Sequence, residues 1–205
     1  IVAVNQLDGE KADWEHVQNS IKESFGKKAV YIQFPVSTGP GFDGFVDVLT
    51  MKYYHFKDAN GTREDLDIPA DLMDMAEEAR QELIEKAAEY DDTLMEKFFD
   101  AGSLTEDEIR QGLSQGIRQG EAYPVFCVSA KKDIGVKRVL EFTRRVAPVP
   151  VNKDEEPVSI FIYKNAVEQH LGEVSYFKVM SGVLTPGVDL EDPVTGSKDR
   201  LSAIY

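Results

Sequence analysis

Two short clusters stand where apolar runs end. Asn5, Gln6 and Asp8 follow Ile1 to Val4, and Ser129 and Ala130 close "YPVFCVSA", with Lys131 next in sequence. A carboxylate at the carboxyl end of a buried parallel strand lies in the crevice where α/β proteins bind ligands. There Asp8 can accept two N–H bonds from the edge of a guanine base. Adenine presents an acceptor at one of those positions and cannot match, and an unmatched buried group is costly. Asn5 would brace the loop through its side-chain amide, while the Ser129–Ala130 backbone would meet the guanine ring oxygen, with Lys131 beside it. Asn-x-x-Asp alone is a short match that also suits an Asx turn and a helix cap. Two strand-end loops in this chain order make a base pocket the stronger reading.

Other chemistries find little support. His16, His55 and His170 lack a matching serine or carboxylate constellation, and no Cys or His cluster has metal-ligand spacing. Cys127, the single cysteine, sits in an apolar run and reads as a buried core residue rather than a nucleophile. No G-x-x-x-x-G-K-[ST] phosphate loop exists, and "FGKKAV" does not match one. "DANG" at 58–61 fits an Asp-x-x-Gly switch only by its letters, because it follows the candidate base motif and lies in a turn.

The elements that must position these loops follow from periodicity. Ile1 to Val4 is rich in β-branched residues, as in a strand covered on both faces. Trp14, Val17, Ile21 and Phe25 predict a helix that stops at Gly26, and "AVYIQFPV" predicts a second strand that completes a parallel crossover unit. Between Gly39 and Arg63, Gly, Pro and the Asn60–Gly61 turn signal predict small antiparallel strands. Three helices should follow. The first carries a stripe at Ile68, Leu72, Met75, Ala79, Leu83, Ala87 and Tyr90, with Pro69 in its opening turn. Thr93 with Glu96, and Thr105 with Glu108, have capping-box spacing. After the strand at "YPVFCVSA", a last helix should bury Val136, Val139, Leu140, Thr143 and Val146 or Ala147.

The expected fold is therefore α/β. An incomplete parallel sheet (1–38 and 123–147) would be interrupted by an inserted α+β subdomain (39–122). A linker (148–157) would lead to part of an antiparallel β-barrel (158–205). Both chain ends fall inside strand patterns, so the sequence reads as an internal piece of a longer protein. With 37 acidic and 23 basic residues, the net charge of −14 argues against non-specific binding to DNA or anionic membrane. The absence of a long apolar run and the lone cysteine point to a cytoplasmic protein.

On these residues the chain resembles the translational GTPases, and elongation factor G in particular. "NQLD" stands at that family's Asn-Lys-x-Asp motif and "SAKKDIGV" at its Ser-Ala motif. "AAEYDDTLMEKFF" with "GSLTEDEI" is similar to its distinguishing insert, and "FKVMSGVLTPGVDL" to the start of its second, β-barrel domain. The resemblance implies a P-loop GTPase-type sheet, GTP or GDP with Mg²⁺ as ligands, and guanine contacts from Asn5, Gln6, Asp8, Ser129, Ala130 and Lys131. It further implies the ribosome, through ribosomal RNA and ribosomal proteins, as partner, and GTP hydrolysis coupled to movement of tRNA and mRNA. The phosphate loop and switch regions are absent from these residues, so the chain alone should not hydrolyse GTP. One departure is Gln6, where the family has a Lys that covers the guanine plane. Loss of that charge should weaken nucleotide binding by about 1–3 kcal/mol. A divergent paralogue, a ribosomal protection or release-factor GTPase, and a non-enzymatic ribosome-interaction module remain as alternatives.

Overall fold

The structure is a computed structural model describing residues 1–58, 61–147 and 153–205. It divides into two compact units, Ile1–Pro148 and Val149–Tyr205. The chain is mixed α/β, with one small parallel sheet and several antiparallel ladders.

Strand β1 (Val2–Val4) leads into helix α1 (Trp14–Phe25), whose start is capped by the Asp13 carboxylate accepting from His16 N–H at 3.0 Å. Strand β2 (Ala29–Tyr31) follows, but it does not pair with β1. Strand β7 (Tyr123–Cys127) lies between them, parallel to both, in the order β1-β7-β2. All three strands are short.

The run 29–36 predicts one strand, and the structure makes it two. Ile32 is fully buried; its N–H donates to Val125 O at 3.1 Å, and its carbonyl accepts from Val48 N–H at 2.9 Å. This residue hands the chain from the parallel sheet to an antiparallel one. Strand β3 (Gln33–Pro35) therefore opens a four-stranded meander with β4 (Gly44–Asp47), β5 (Lys52–Phe56) and β6 (Arg63–Leu66). A continuous apolar run records burial on both halves and is silent about the change of partner. Asn60 of the predicted turn, with Ala59 of "DANG", lies outside the described residues, as do 148–152 of the predicted linker.

Helices α2 (Met73–Glu89), α3 (Asp92–Ala101) and α4 (Glu106–Gln119) follow. Three details differ from expectation. Pro69 opens a 3₁₀ turn, Ala70–Leu72, and not the α-helix itself. Met75, inside α2, lies off the face that buries Ala76, Leu83, Ile84, Ala87 and Ala88, and is 54% exposed. The cap of α3 is Asp91, which accepts from Thr93 and Leu94 N–H, so the Thr93/Glu96 pair does not form a capping box. An Asp one position before the helix already satisfies those amides.

The Thr105/Glu108 box is present in full. Lys97 first, and then the Thr105 amide and hydroxyl, hold the Glu108 carboxyl down to about 2. Because its folded value lies below the unfolded one, this contribution is present above the ordinary Glu range and lost as pH falls through about 2. Protection of the first-turn amides of α4, taken relative to intrinsic exchange at each pH, should accordingly fall between about pH 4 and 2. Thr105→Ala should cost about 1 kcal/mol.

The last helix of this unit, α5 (Val136–Val146), buries Arg138, Phe142 and Val146. Leu140 of the predicted stripe instead points out at 64% exposure. Two interactions turn the helix. Phe142 meets Phe126 edge-on with ring centroids 4.9 Å apart, and Arg138 reaches Asp47 of β4 through Nε at 2.6 Å and Nη2 at 3.1 Å. Asp47 also accepts from Gln33 Nε2 at 3.2 Å and from the Thr50 amide and hydroxyl at 3.0 Å, while Gln33 Oε1 accepts from Cys127 N–H at 3.0 Å. Burial lowers the Arg138 guanidinium, but the hydrogen bonds and charge of Asp47 outweigh it and the net direction is up. Cys127 is fully buried, and burial pushes its thiol well up, as expected for an inert core cysteine.

The second unit holds a hairpin of β8 (Ser159–Glu168) and β9 (Gly172–Ser181) and a short ladder of β10 (Asp189–Glu191) and β11 (Lys198–Arg200). Both pairs are antiparallel. Among the described residues they do not close into a barrel.

Candidate functional site

Parallel pairing in register sets Val4 opposite Cys127, so β1 and β7 end side by side. Val128 N–H continues the ladder to Val4 O at 2.9 Å. The next pair is no longer backbone to backbone. Asn5 Oδ1 accepts from Ala130 N–H at 3.0 Å and ties the two candidate loops together across 125 residues of sequence. An amide side chain suits this place because it can hold one loop through its oxygen and present its NH₂ to a ligand.

Within the first loop, Gly9 N–H donates to Gln6 O at 2.9 Å, forming a tight turn. Gln6 sits at φ 63, left-handed backbone that non-glycine residues rarely adopt, and its side chain is exposed. Leu7 plugs the turn into the core at 2% exposure. Asp8 is half-buried, and its carboxylate has no hydrogen bond or ion pair among the described residues. Such an acceptor is available to a donor from outside.

Ser129 of the second loop is fully buried and forms a two-bond bridge with Ile134, each N–H to O distance being 3.0 Å. Its hydroxyl accepts from Lys132 N–H at 3.3 Å. Ser129 therefore shapes the loop, and its side chain does not face a ligand. The Ala130 amide, expected to meet a base oxygen, is held by Asn5; the neighbouring Lys131 is exposed.

The structure thus gathers all six predicted residues on two adjacent loops, with Asp8 half-buried, Lys131 exposed and Ser129 buried. It adds residues that the sequence reading missed. Gly39 N–H donates to Leu7 O at 2.8 Å, and Lys132 Nζ donates to Pro40 O at 3.2 Å and Phe42 O at 3.5 Å. Nothing in "AKKD" separates Lys132 from Lys131, so no sequence signal marks it.

No family model matches the sequence. Over 98% of its length the chain is similar to a protein of known crystal structure from Thermus thermophilus, designated only by a locus tag, with TM-score 0.73 and 26% identity. The match supports a mixed α/β fold. This chain spans 30% of that protein. No helix among the described residues is long and apolar enough to cross a membrane.

Proposed function

We propose that the loops at Asn5–Asp8 and Ser129–Lys131 read a guanine base, and that the chain is part of a P-loop-type, ribosome-dependent GTPase resembling elongation factor G. The observation that carries this reading is the Asn5–Ala130 latch beside the Asp8 carboxylate, which has no partner among the described residues. Two acceptor oxygens at a parallel strand end suit the paired N–H groups of guanine, and the latch sets both loops at a common rim.

The residues do not fit the rest of the nucleotide equally well. Among the described residues no group of three or more His, Cys, Asp or Glu is arranged for a metal, and no phosphate loop exists in the sequence. Mg²⁺ and the phosphates would therefore be held elsewhere in the whole protein, and we derive no hydrolytic step from this chain. Its own residues orient the base. Movement of tRNA and mRNA, with ribosomal RNA and ribosomal proteins as partners, is the activity proposed for the whole protein.

The test is nucleotide titration of the chain at millimolar concentration, followed by amide shifts. Wild type should prefer GDP to ADP, with shifts centred on Asp8, Ala130 and Lys131. Asp8→Asn, which replaces one acceptor by a donor, should weaken GDP by about 1–3 kcal/mol without weakening ADP, so the preference between them narrows. Gln6→Lys should strengthen GDP binding by restoring a charged donor. Equal response to GDP and ADP, in wild type and Gln6→Lys alike, would sink the base-pocket reading. It would favour the non-enzymatic interaction module, which the uncharged, exposed Gln6 already suits.

A further inference from the structure

The insert does not merely hang from the sheet; it grips both candidate loops. On the first loop, Gly39 at φ 83 donates its N–H to Leu7 O at 2.8 Å. On the second, the Lys132 ammonium bonds the Pro40 and Phe42 carbonyls at 3.2 and 3.5 Å. These partners belong to one 3₁₀ turn, Gly39–Gly41, and its flank, where Phe42 is almost fully buried and so anchored. A third contact comes from the far end of the β5–β6 hairpin. A Cβ added to Gly61 would lie 2.7 Å from Asp133 Oδ2 and 2.8 Å from Asp133 O, so the hairpin and the second loop are in direct apposition. Asp133 is held at φ 53, and its N–H closes the turn back to Ala130 O at 3.4 Å.

From these contacts we infer that the insert's entry turn is a clamp on the base-reading loops and that Lys132 is the positioning residue joining them. Resting on the reading of the loops as a base pocket, this inference makes the insert a determinant of how tightly the pocket is pre-formed. The chemistry of Lys132 is particular. In a chain of 37 acidic residues, its ammonium pairs with no carboxylate among the described residues and instead bonds two neutral carbonyls. A guanidinium keeps that donor charge, whereas a methionine keeps only the stem. Pre-organising a loop lowers the ordering cost that a ligand must otherwise meet, so the clamp acts on the bases it favours without touching them.

The decisive measurement is amide hydrogen exchange on the full 205-residue chain, with no nucleotide present, for wild type, Lys132→Met, Lys132→Arg and Lys137→Met. Lys132→Met should speed exchange at Ala130, Asp133 and Ile134 by roughly threefold to tenfold through the loss of its two bonds to the Pro40 and Phe42 carbonyls. Lys132→Arg should restore most of the protection, and Lys137→Met, on the exposed side of α5, should change nothing. The urea midpoint should stay near wild type, since an exposed contact contributes little to global stability. Gly61→Ala provides a second arm and should shift the Asp133 and Ala130 amide resonances. Unchanged exchange in Lys132→Met together with unchanged resonances in Gly61→Ala would overturn the clamp. A nucleotide arm separates the two ideas. Faster exchange in Lys132→Met with no GDP preference in wild type retains the clamp and rejects the base pocket; faster exchange with a GDP preference that Lys132→Met halves or more supports both.

Discussion

Arg138→Met lowers the unfolding free energy of the first unit by about 3–5 kcal/mol, the expected cost of breaking a buried ion pair from one side. Asp47 is fully buried and Arg138 4% exposed, so the stranded carboxylate has no water to turn to. Its remaining donors, Gln33 and Thr50, are neutral and offset only part of the loss. The pair joins β4 of the insert to α5 of the parallel-sheet region, and through Gln33 it reaches the Cys127 amide on β7. The variant should therefore loosen the seam between insert and sheet. Urea unfolding followed by far-ultraviolet circular dichroism should show a lower midpoint with unchanged slope, as for a pure stability change. Asp47→Asn combined with Arg138→Met should recover at least half of the loss, because no unpaired charge is left buried. A single-variant loss below about 1 kcal/mol would mean that water or a rearranged partner replaces the guanidinium.

Gly135→Ala is the second large effect, about 3 kcal/mol of destabilisation, and here two terms share a sign. Gly135 caps α5 at φ 77, which costs an alanine about 1–2 kcal/mol. An added Cβ would also lie 2.4 Å from Cys127 O and 3.1 Å from the Phe45 ring, and neither neighbour is the free end of a flexible side chain. Overpacking of that kind typically costs about 1–3 kcal/mol. Relief requires the turn at 129–135 to move away from β7. The same substitution should therefore disturb the Ser129–Ile134 bridge and the Asn5–Ala130 bond. Thermal unfolding should show the stability loss, and the Ala130 amide resonance should report the shifted loop. An unchanged melting temperature would refute the close packing of Gly135 on Cys127.

Much of the fold was legible in local pattern. Helix α1 and its stop at Gly26, the Thr105–Glu108 box, the buried Cys127 and the antiparallel character of 39–63 all followed from residue type and spacing. Where expectation failed, the cause was a neighbour. Ile32 ends one strand because Val125 and Val48 lie on opposite sides of it. Leu140 faces out because Asp47 and Phe126 hold the Arg138–Phe142 face inward. Met75 faces out because the face of α2 held in the core runs through Ala76, Leu83, Ile84, Ala87 and Ala88.

The candidate site divides in the same way. Residue type and position at a strand end were enough to single out Asn5, Asp8 and the 129–131 loop, since a carboxylate or amide after a buried parallel strand has few uses other than a turn or a ligand. Only the tertiary structure showed that Asn5 holds Ala130 across 125 residues, that Arg138 meets Asp47 across 91 and that Lys132 meets Pro40 across 92. The physical reason is one of range. Periodicity records that a face is buried, because burial is a property of the element itself, whereas the partner that buries it is chosen by packing the whole chain at once.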